Sequence, residues 1–451
     1  MQEQLTTIAW VRHCLRLVAC CMMFLPTQSM AQVPATGSAN SNISDPSQKA
    51  SSTNRTATHI PFMNERYVMV QEAVDGYRIT RLPLIGFDGR RFVPAAYGDD
   101  PGIYYLIAGS KRYLRFLTTA QTVDLVFTSV IFISTLLGGI ALVLGVRSTK
   151  VRTIGLLALC CLAIVSSRLG DVYVFQSGIV VATVPWLLYF AGRAVLDRWF
   201  YVFTFMAGLA SSVANVVRFH AGTPVLLFTI VILVFYLRQK FRYRLGLIVV
   251  LAIGFSVPSV YFHKAFSDRD RFLLTQDPHY TPIVVHHPFW HPIFAGLGFL
   301  SNDFGLKFAD ETVERRARSV DPTVQYLSDR YDRDIKNEVI EVVRKHPAFV
   351  LFSEMTKVGA LLTIFVICAG PGLLTAIRRP KPWPIECAFV VSILWTALNG
   401  ILVIPNPKYL LGFISLSILY GIYSMKPLHE ERIAERVSEE LLADDLVPSS
   451  V

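Results

Sequence analysis

Two adjacent carboxylates, Asp99 and Asp100, stand in the stretch Tyr97-Gly98-Asp99-Asp100-Pro101-Gly102-Ile103-Tyr104-Tyr105. Repulsion between such neighbours, together with partial burial, raises the pKa of one of them toward the range of a general base. The competing reading is a capping turn in which Asp100 starts a helix at Pro101. Cations that could steady a phosphate lie far away in sequence. Arg218 and His220 share the turn Arg218-Phe219-His220-Ala221-Gly222-Thr223-Pro224, and Lys408 sits in Pro405-Asn406-Pro407-Lys408-Tyr409. Guanidinium and ammonium groups bind phosphate oxygens by charge-assisted hydrogen bonds, and an imidazole can add a donor. The plainer alternatives are an arginine anchored among lipid headgroups and a lysine with no role.

A third group gathers His279, His286, His287, Trp290 and His291. Several imidazoles in one short stretch invite a zinc reading. Pro288 and Pro292, however, are expected to break any helix and so keep His287 and His291 off one helical face. His287, Trp290 and His291 are therefore taken as candidate substrate contacts, a histidine and aromatic cover over a sugar or headgroup. No metal site is assigned.

These residues need a scaffold, and the composition says which kind. The chain of 451 residues is 53% apolar and only 17% charged, so it is an all-α polytopic membrane protein rather than a soluble domain. The net charge of +10 does not imply nucleic acid, because the basic residues gather in short clusters between apolar runs. The 7 cysteines lie in or beside apolar segments, which supports neither a disulfide framework nor a zinc site. About nine transmembrane helices are expected after an N-terminal signal or first helix. They cover residues 120–146, 153–166, 178–191, 200–217, 224–237, 245–262, 356–377, 384–404 and 410–425.

Arginine and lysine on every second connection make those connections cytoplasmic, and the alternate ones external. The resulting order is a signal peptide or first transmembrane helix over 1–31, a disordered linker over 32–59 and an external acidic segment over 60–119. Membrane helices fill 120–262, an external loop domain spans 263–355 between the sixth and seventh helices, membrane helices return over 356–425, and 426–451 form a cytoplasmic tail. Turns are expected at Asp75-Gly76 and Asp88-Gly89. Asp321-Pro322 is expected to open a helix running to Lys345. Ionisable residues are scarce within the spans, which favours chemistry at the external surface over ion-coupled transport.

This organisation resembles the GT-C class of integral-membrane glycosyltransferases, and within it the bacterial RgtA/B/C/D-like group. The resemblance rests on the order of external segments, on Gly98-Asp99-Asp100-Pro101-Gly102-Ile103-Tyr104-Tyr105 and on Pro407-Lys408-Tyr409-Leu410. The class places its key aspartate just after its first helix, whereas a long linker intervenes here, which leaves Asp75 and Asp88 as rivals to Asp99 and Asp100. The resemblance implies a lipid-linked sugar donor on a polyprenyl phosphate, contact with membrane lipid, a glycan, lipid or protein acceptor, and a bacterial inner-membrane location with the large loop periplasmic. No cofactor is certain, and a divalent metal is the one left open. The alternatives are a transporter or flippase of a lipid-linked glycan and a non-catalytic membrane scaffold.

Overall fold

The computed structural model describes residues 67–95, 101–193, 198–237, 240–280, 289–324, 326, 328–378 and 381–425. The expected signal or first helix, the linker, the C-terminal tail, Asp99, Asp100, His286 and His287 lie outside the described residues. Helix α1 (Tyr67–Thr80) leads into a hairpin of β1 (Ile85–Phe87) and β2 (Phe92–Pro94), and α2 (Pro101–Tyr113) follows. The strands are antiparallel, with Gly86 opposite Val93. The turn expected at Asp88-Gly89 closes this hairpin, where Asp88 Oδ1 accepts the backbone N–H groups of Arg90 and Arg91 at 2.8 and 2.9 Å. Asp75-Gly76 is not a turn: both residues lie inside α1, whose face with Val70, Ala73 and Val74 is buried. The apolar spacing of that face outweighs the turn tendency of the dipeptide.

The apolar segments of the sequence fall on α3 (Thr119–Gly145), α4 (Thr149–Leu169), α5 (Val174–Ala191), α6 (Arg198–Val217), α7 (Thr223–Val231), α8 (Phe241–Gln276), α12 (Pro347–Arg378), α13 (Trp383–Leu402) and α14 (Leu411–Ser424). Among the described residues, 7 helices are long and apolar enough to cross a membrane, and Thr223–Tyr236 and Leu411–Ser424 are shorter apolar helices. The chain is an integral membrane protein by this measure. Capping fixes where several helices begin. Thr118 and Gln121 form a reciprocal capping box at the start of α3. A π-helical turn, Ile232–Tyr236, ends α7, and Arg244 donates to the carbonyl of Val234 at 2.7 Å. Arg152 likewise donates to Val146 O at 2.9 and 3.2 Å. Basic residues at this end of the bundle thus satisfy backbone carbonyls that the helices leave unpaired.

The bundle's main core joins α4, α5, α7, α13 and α14 through Leu159, Val184, Phe228, Phe389 and Leu416. Helices α6 and α8 cross closely because Gly208 and Gly254 carry no side chain. A Cβ on Gly254 would lie 2.2 Å from Phe205 O, and one on Gly208 2.3 Å from Leu251 O. In apolar surroundings such close approach, rather than expulsion of water, holds helices together.

Three expectations about the chain from α8 to α12 are corrected. The chain does not leave helix at residue 262: α8 continues unbroken to Gln276, because Ala265, Arg269 and Leu273 extend its buried face. The helix ending at Lys345 does not begin at Asp321-Pro322. Helix α10 spans Asp310–Val320, a turn follows, and α11 spans Asp329–Lys345 with Ser328 as its N-cap. Asp321 instead accepts from the backbone N–H and hydroxyl of Thr323 at 2.9 and 2.7 Å, and pairs with Arg330 at 2.7 Å. Its carboxylate therefore closes a local turn, and the same side chain cannot also cap α11. Pro292 likewise does not break a helix. It lies in the first turn of α9 (Trp290–Leu297), where a missing N–H costs no intrahelical bond. Replacement of Ser328 by Ala is expected to cost about 1 kcal/mol. Hydrogen exchange should then speed up at the Tyr331 amide, which the Ser328 hydroxyl accepts at 3.1 Å.

Candidate functional site

Three connections meet at the end of the bundle that also carries α1, α2 and the hairpin. Helix α4 stops at Gly170, whose left-handed backbone (φ 49°) turns the chain back and whose N–H bonds to Ser166 O at 3.2 Å. Asp171 follows at once and is 7% exposed. Its Oδ1 accepts the N–H of Val172 at 2.5 Å, and its Oδ2 pairs with the ammonium of Lys408. Lys408 is held from its own side, since its N–H bonds to Asn406 Oδ1 at 3.0 Å and the Tyr409 N–H bonds to Asn406 O at 3.0 Å.

Tyr173 joins this pair to Arg218. The Arg218 Nη2 donates to Tyr173 Oη at 2.6 Å, with the guanidinium carbon 4.7 Å from the ring centroid. On its other side the Tyr173 ring packs edge-on against Tyr409 at 5.0 Å. Arg218 and Lys408, distant in sequence, therefore share one aromatic and acidic bridge. Hydrogen bonding and cation–π attraction both favour a guanidinium held in this orientation.

The turn after α6 is tightly drawn. Asn215 Oδ1 accepts the Gly222 N–H at 2.7 Å, and His220 adopts a left-handed backbone with φ 63°. The His220 ring lies 3.8 Å from the Phe219 ring and edge-on to Trp395 at 5.4 Å, with Nδ1 3.4 Å from Thr223 Oγ1. His220 and Arg218 thus leave the same turn toward different neighbours.

The acidic stretch enters through the residues that follow it. Helix α2 begins at Pro101, and Gly102 lies so close to the end of α6 that a Cβ there would sit 2.8 Å from Val216 C and from Val217 N. The chain immediately after Asp100 is therefore pressed onto the backbone just before Arg218. Tyr104 and Ile103 are buried with Val172, Tyr173 and Val217 in one cluster. The Tyr105 hydroxyl lies 2.9 Å from that of Tyr261, and burial, followed by that hydrogen bond, pushes its phenol up to about 12.

The rival carboxylates are engaged locally. Asp75 accepts from Gln71 at 2.9 Å and lies 3.5 Å from Arg78, both on its own helix. Asp88 is held below the usual carboxylate range, first by the backbone N–H of Arg91, and serves the hairpin turn. Glu72 was not singled out from the sequence. Burial, and then the charge of Asp88, push its carboxyl up.

His291 and Trp290 belong to the loop core rather than to this cluster. His291 is 6% exposed, and its Nδ1 lies 2.6 Å from the Tyr331 hydroxyl, its Nε2 3.1 Å from Asp310 Oδ1. Burial pushes the Tyr331 phenol up, and the Asp310 carboxylate, which can only accept, takes its hydrogen bond from Nε2. The Trp290 N–H bonds to Asp332 Oδ1 at 3.1 Å, and Lys336 Nζ lies 5.8 Å from the Trp290 ring centroid. Among the described residues no group of 3 or more His, Cys, Asp or Glu side chains is placed to hold a metal ion.

Asp171 and Tyr173 were missed in the sequence. The available signal was a single aspartate directly after a helix-ending glycine, followed by Val-Tyr-Val-Phe. Arg269 was also missed: it is 1% exposed near the C-terminal end of α8, pairs with Asp270 at 2.8 Å and leaves Nη2 without a hydrogen-bond partner. Beside the cluster, a narrow crevice between α3, α4 and α5 is bordered by Ser134, Ser166, Val174 and Ser177. Comparison of the chain with protein-family models, with curated proteins and with solved structures finds no match in any of the three. The site therefore rests on its geometry alone.

A methyl group at Gly102 must push α2 away from α6. Gly102→Ala is expected to destabilise the protein by about 1–3 kcal/mol, read as a lowered midpoint of thermal unfolding in detergent.

Proposed function

We propose that the protein is a GT-C-type membrane glycosyltransferase that moves a sugar from a polyprenyl-phosphate donor to an acceptor on the external face. The observation that supports it best is the joining of Arg218 and Lys408 by Tyr173, Asp171 and Tyr409, beside the point where the chain leaves Asp99-Asp100. In this reading Asp99 or Asp100 accepts the proton of the acceptor hydroxyl as its oxygen forms a bond to the sugar's anomeric carbon. The bond from that carbon to the phosphate oxygen breaks, and the electron pair stays on the lipid phosphate. Arg218 and Lys408 stabilise the charge that develops there, where preorganised donors act most strongly. His220 and His287 remain candidate contacts to the rest of the substrate, whereas His291 is taken up by Tyr331 and Asp310 and Trp290 stands beside it in the loop core. The location is a bacterial inner membrane with the loop domain in the periplasm.

A second reading, a transporter or flippase of a lipid-linked glycan, draws on a different observation. Lys357, in α12, is fully buried, pairs with Glu354 at 2.8 Å and donates to Ile401 O at 3.1 Å. Buried ionisable residues in apolar helices commonly mark a transport path. The two readings separate by mutation. With the purified full-length protein and a polyprenyl-phosphate sugar, Asp99→Asn combined with Asp100→Asn should abolish transfer while membrane insertion stays normal. Arg218→Gln should lower kcat by about 100-fold or more. Full transfer in the aspartate variant would remove Asp99 and Asp100 from the chemistry, whereas no transfer by the wild-type protein, together with translocation of the lipid-linked sugar in liposomes that Lys357→Met abolishes, would reverse the assignment.

A further inference from the structure

We propose that Asp171 is a positioning residue that occupies Lys408 until the phosphate of a lipid-linked ligand displaces it. This rests on the reading that Lys408 binds phosphate. The carboxylate is oriented from both sides: the Val172 N–H holds Oδ1 and the Lys408 ammonium holds Oδ2. The turn that carries Asp171 is fixed by the left-handed Gly170, and the turn that carries Lys408 by the hydrogen bond to Asn406. Neither partner was brought there by a long mobile loop.

An ammonium group forms charge-assisted hydrogen bonds with either a carboxylate or a phosphate oxygen. Asp171 therefore stands where a ligand anion would stand and neutralises the site in its absence. The exposures fit exchange, since the Lys408 side chain is 27% exposed whereas that of Asp171 is 9% exposed. An arriving anion reaches the lysine first. A neutral ligand offers Lys408 no charge in place of the carboxylate and leaves the pair closed, because Asp171, the buried partner, would be left without its counter-charge. Tyr173 lies two residues beyond Asp171 and holds Arg218, so release of the carboxylate acts on a turn that also orients the second cation.

Removing the charge of Asp171 should then improve anion binding. The test uses the purified full-length protein in uncharged detergent, with decyl phosphate as probe, decanol as neutral control, inorganic phosphate as a third arm, and binding followed by calorimetry. Asp171→Asn is expected to bind decyl phosphate about tenfold more tightly and Lys408→Gln about tenfold more weakly, and the double variant to match Lys408→Gln, as expected for coupled groups. Decanol binding should not change. Asp171→Ser, whose hydroxyl can still accept the Val172 N–H, is expected to show the same gain and serves if the Asn variant folds poorly. A gain with decyl phosphate alone assigns a lipid-linked anion, and a gain with inorganic phosphate as well assigns a free one; the first upholds the proposal and the second overturns its lipid-linked form. Charge-removing variants at Asp171 that bind no tighter than wild type, while Lys408→Gln still weakens binding, would overturn the latch and leave the phosphate reading standing. Unchanged binding in Lys408→Gln would remove both.

Discussion

A charge drawn out of water at the end of an apolar helix bundle must find an opposite charge within reach, and the pair Asp171 and Lys408 is where this fold meets that demand. Much else at that end follows from it. The pair binds the connection between α4 and α5 to the turn ahead of α14, and Tyr173 extends the same bridge to the end of α6. Three otherwise separate connections are thereby held in one register. Helix α2 adds a fourth by lying against the last residues of α6. Apolar residues of α1, α2, α3 and α5 pack with Val172 and Tyr173 in one buried cluster beside the ion pair.

Much of the architecture was legible in the sequence because membrane helices advertise themselves by long apolar runs. Positions such as 200–217 and 384–404 could scarcely have been anything else, and the structure places the first in α6 and the second, as far as Leu402, in α13. Where the reading failed, a local signal was outweighed by a longer-range one. Asp75-Gly76 looks like a turn until the buried face of α1 is recognised. Asp321-Pro322 looks like a helix start until Arg330 and Thr323 claim the aspartate. Helix α8 outruns the apolar segment that ends at 262, because Ala265, Arg269 and Leu273 keep it packed.

The candidate site was legible only in part, for a different reason. Arg218 and Lys408 stood out because cations on their connections break the charge pattern of the rest. Nothing in a linear sequence shows that these two meet. Asp171 went unremarked because a lone acidic residue after a glycine is common in loops, and its significance lies in a partner more than two hundred positions away. His291 shows the converse, a residue conspicuous in sequence that the fold uses to link α9 to Tyr331 and Asp310.

Helix α8 runs without interruption for 36 residues, clasped against α6 within the bundle and packed through Phe272 against Phe92 of the hairpin at its far end. At 1.5 Å per residue, the 14 residues from 263 to 276 span about 20 Å. A helix of this kind is a ruler. It carries the contact with the hairpin at a fixed distance beyond the stretch where Gly208 and Gly254 bring it against α6.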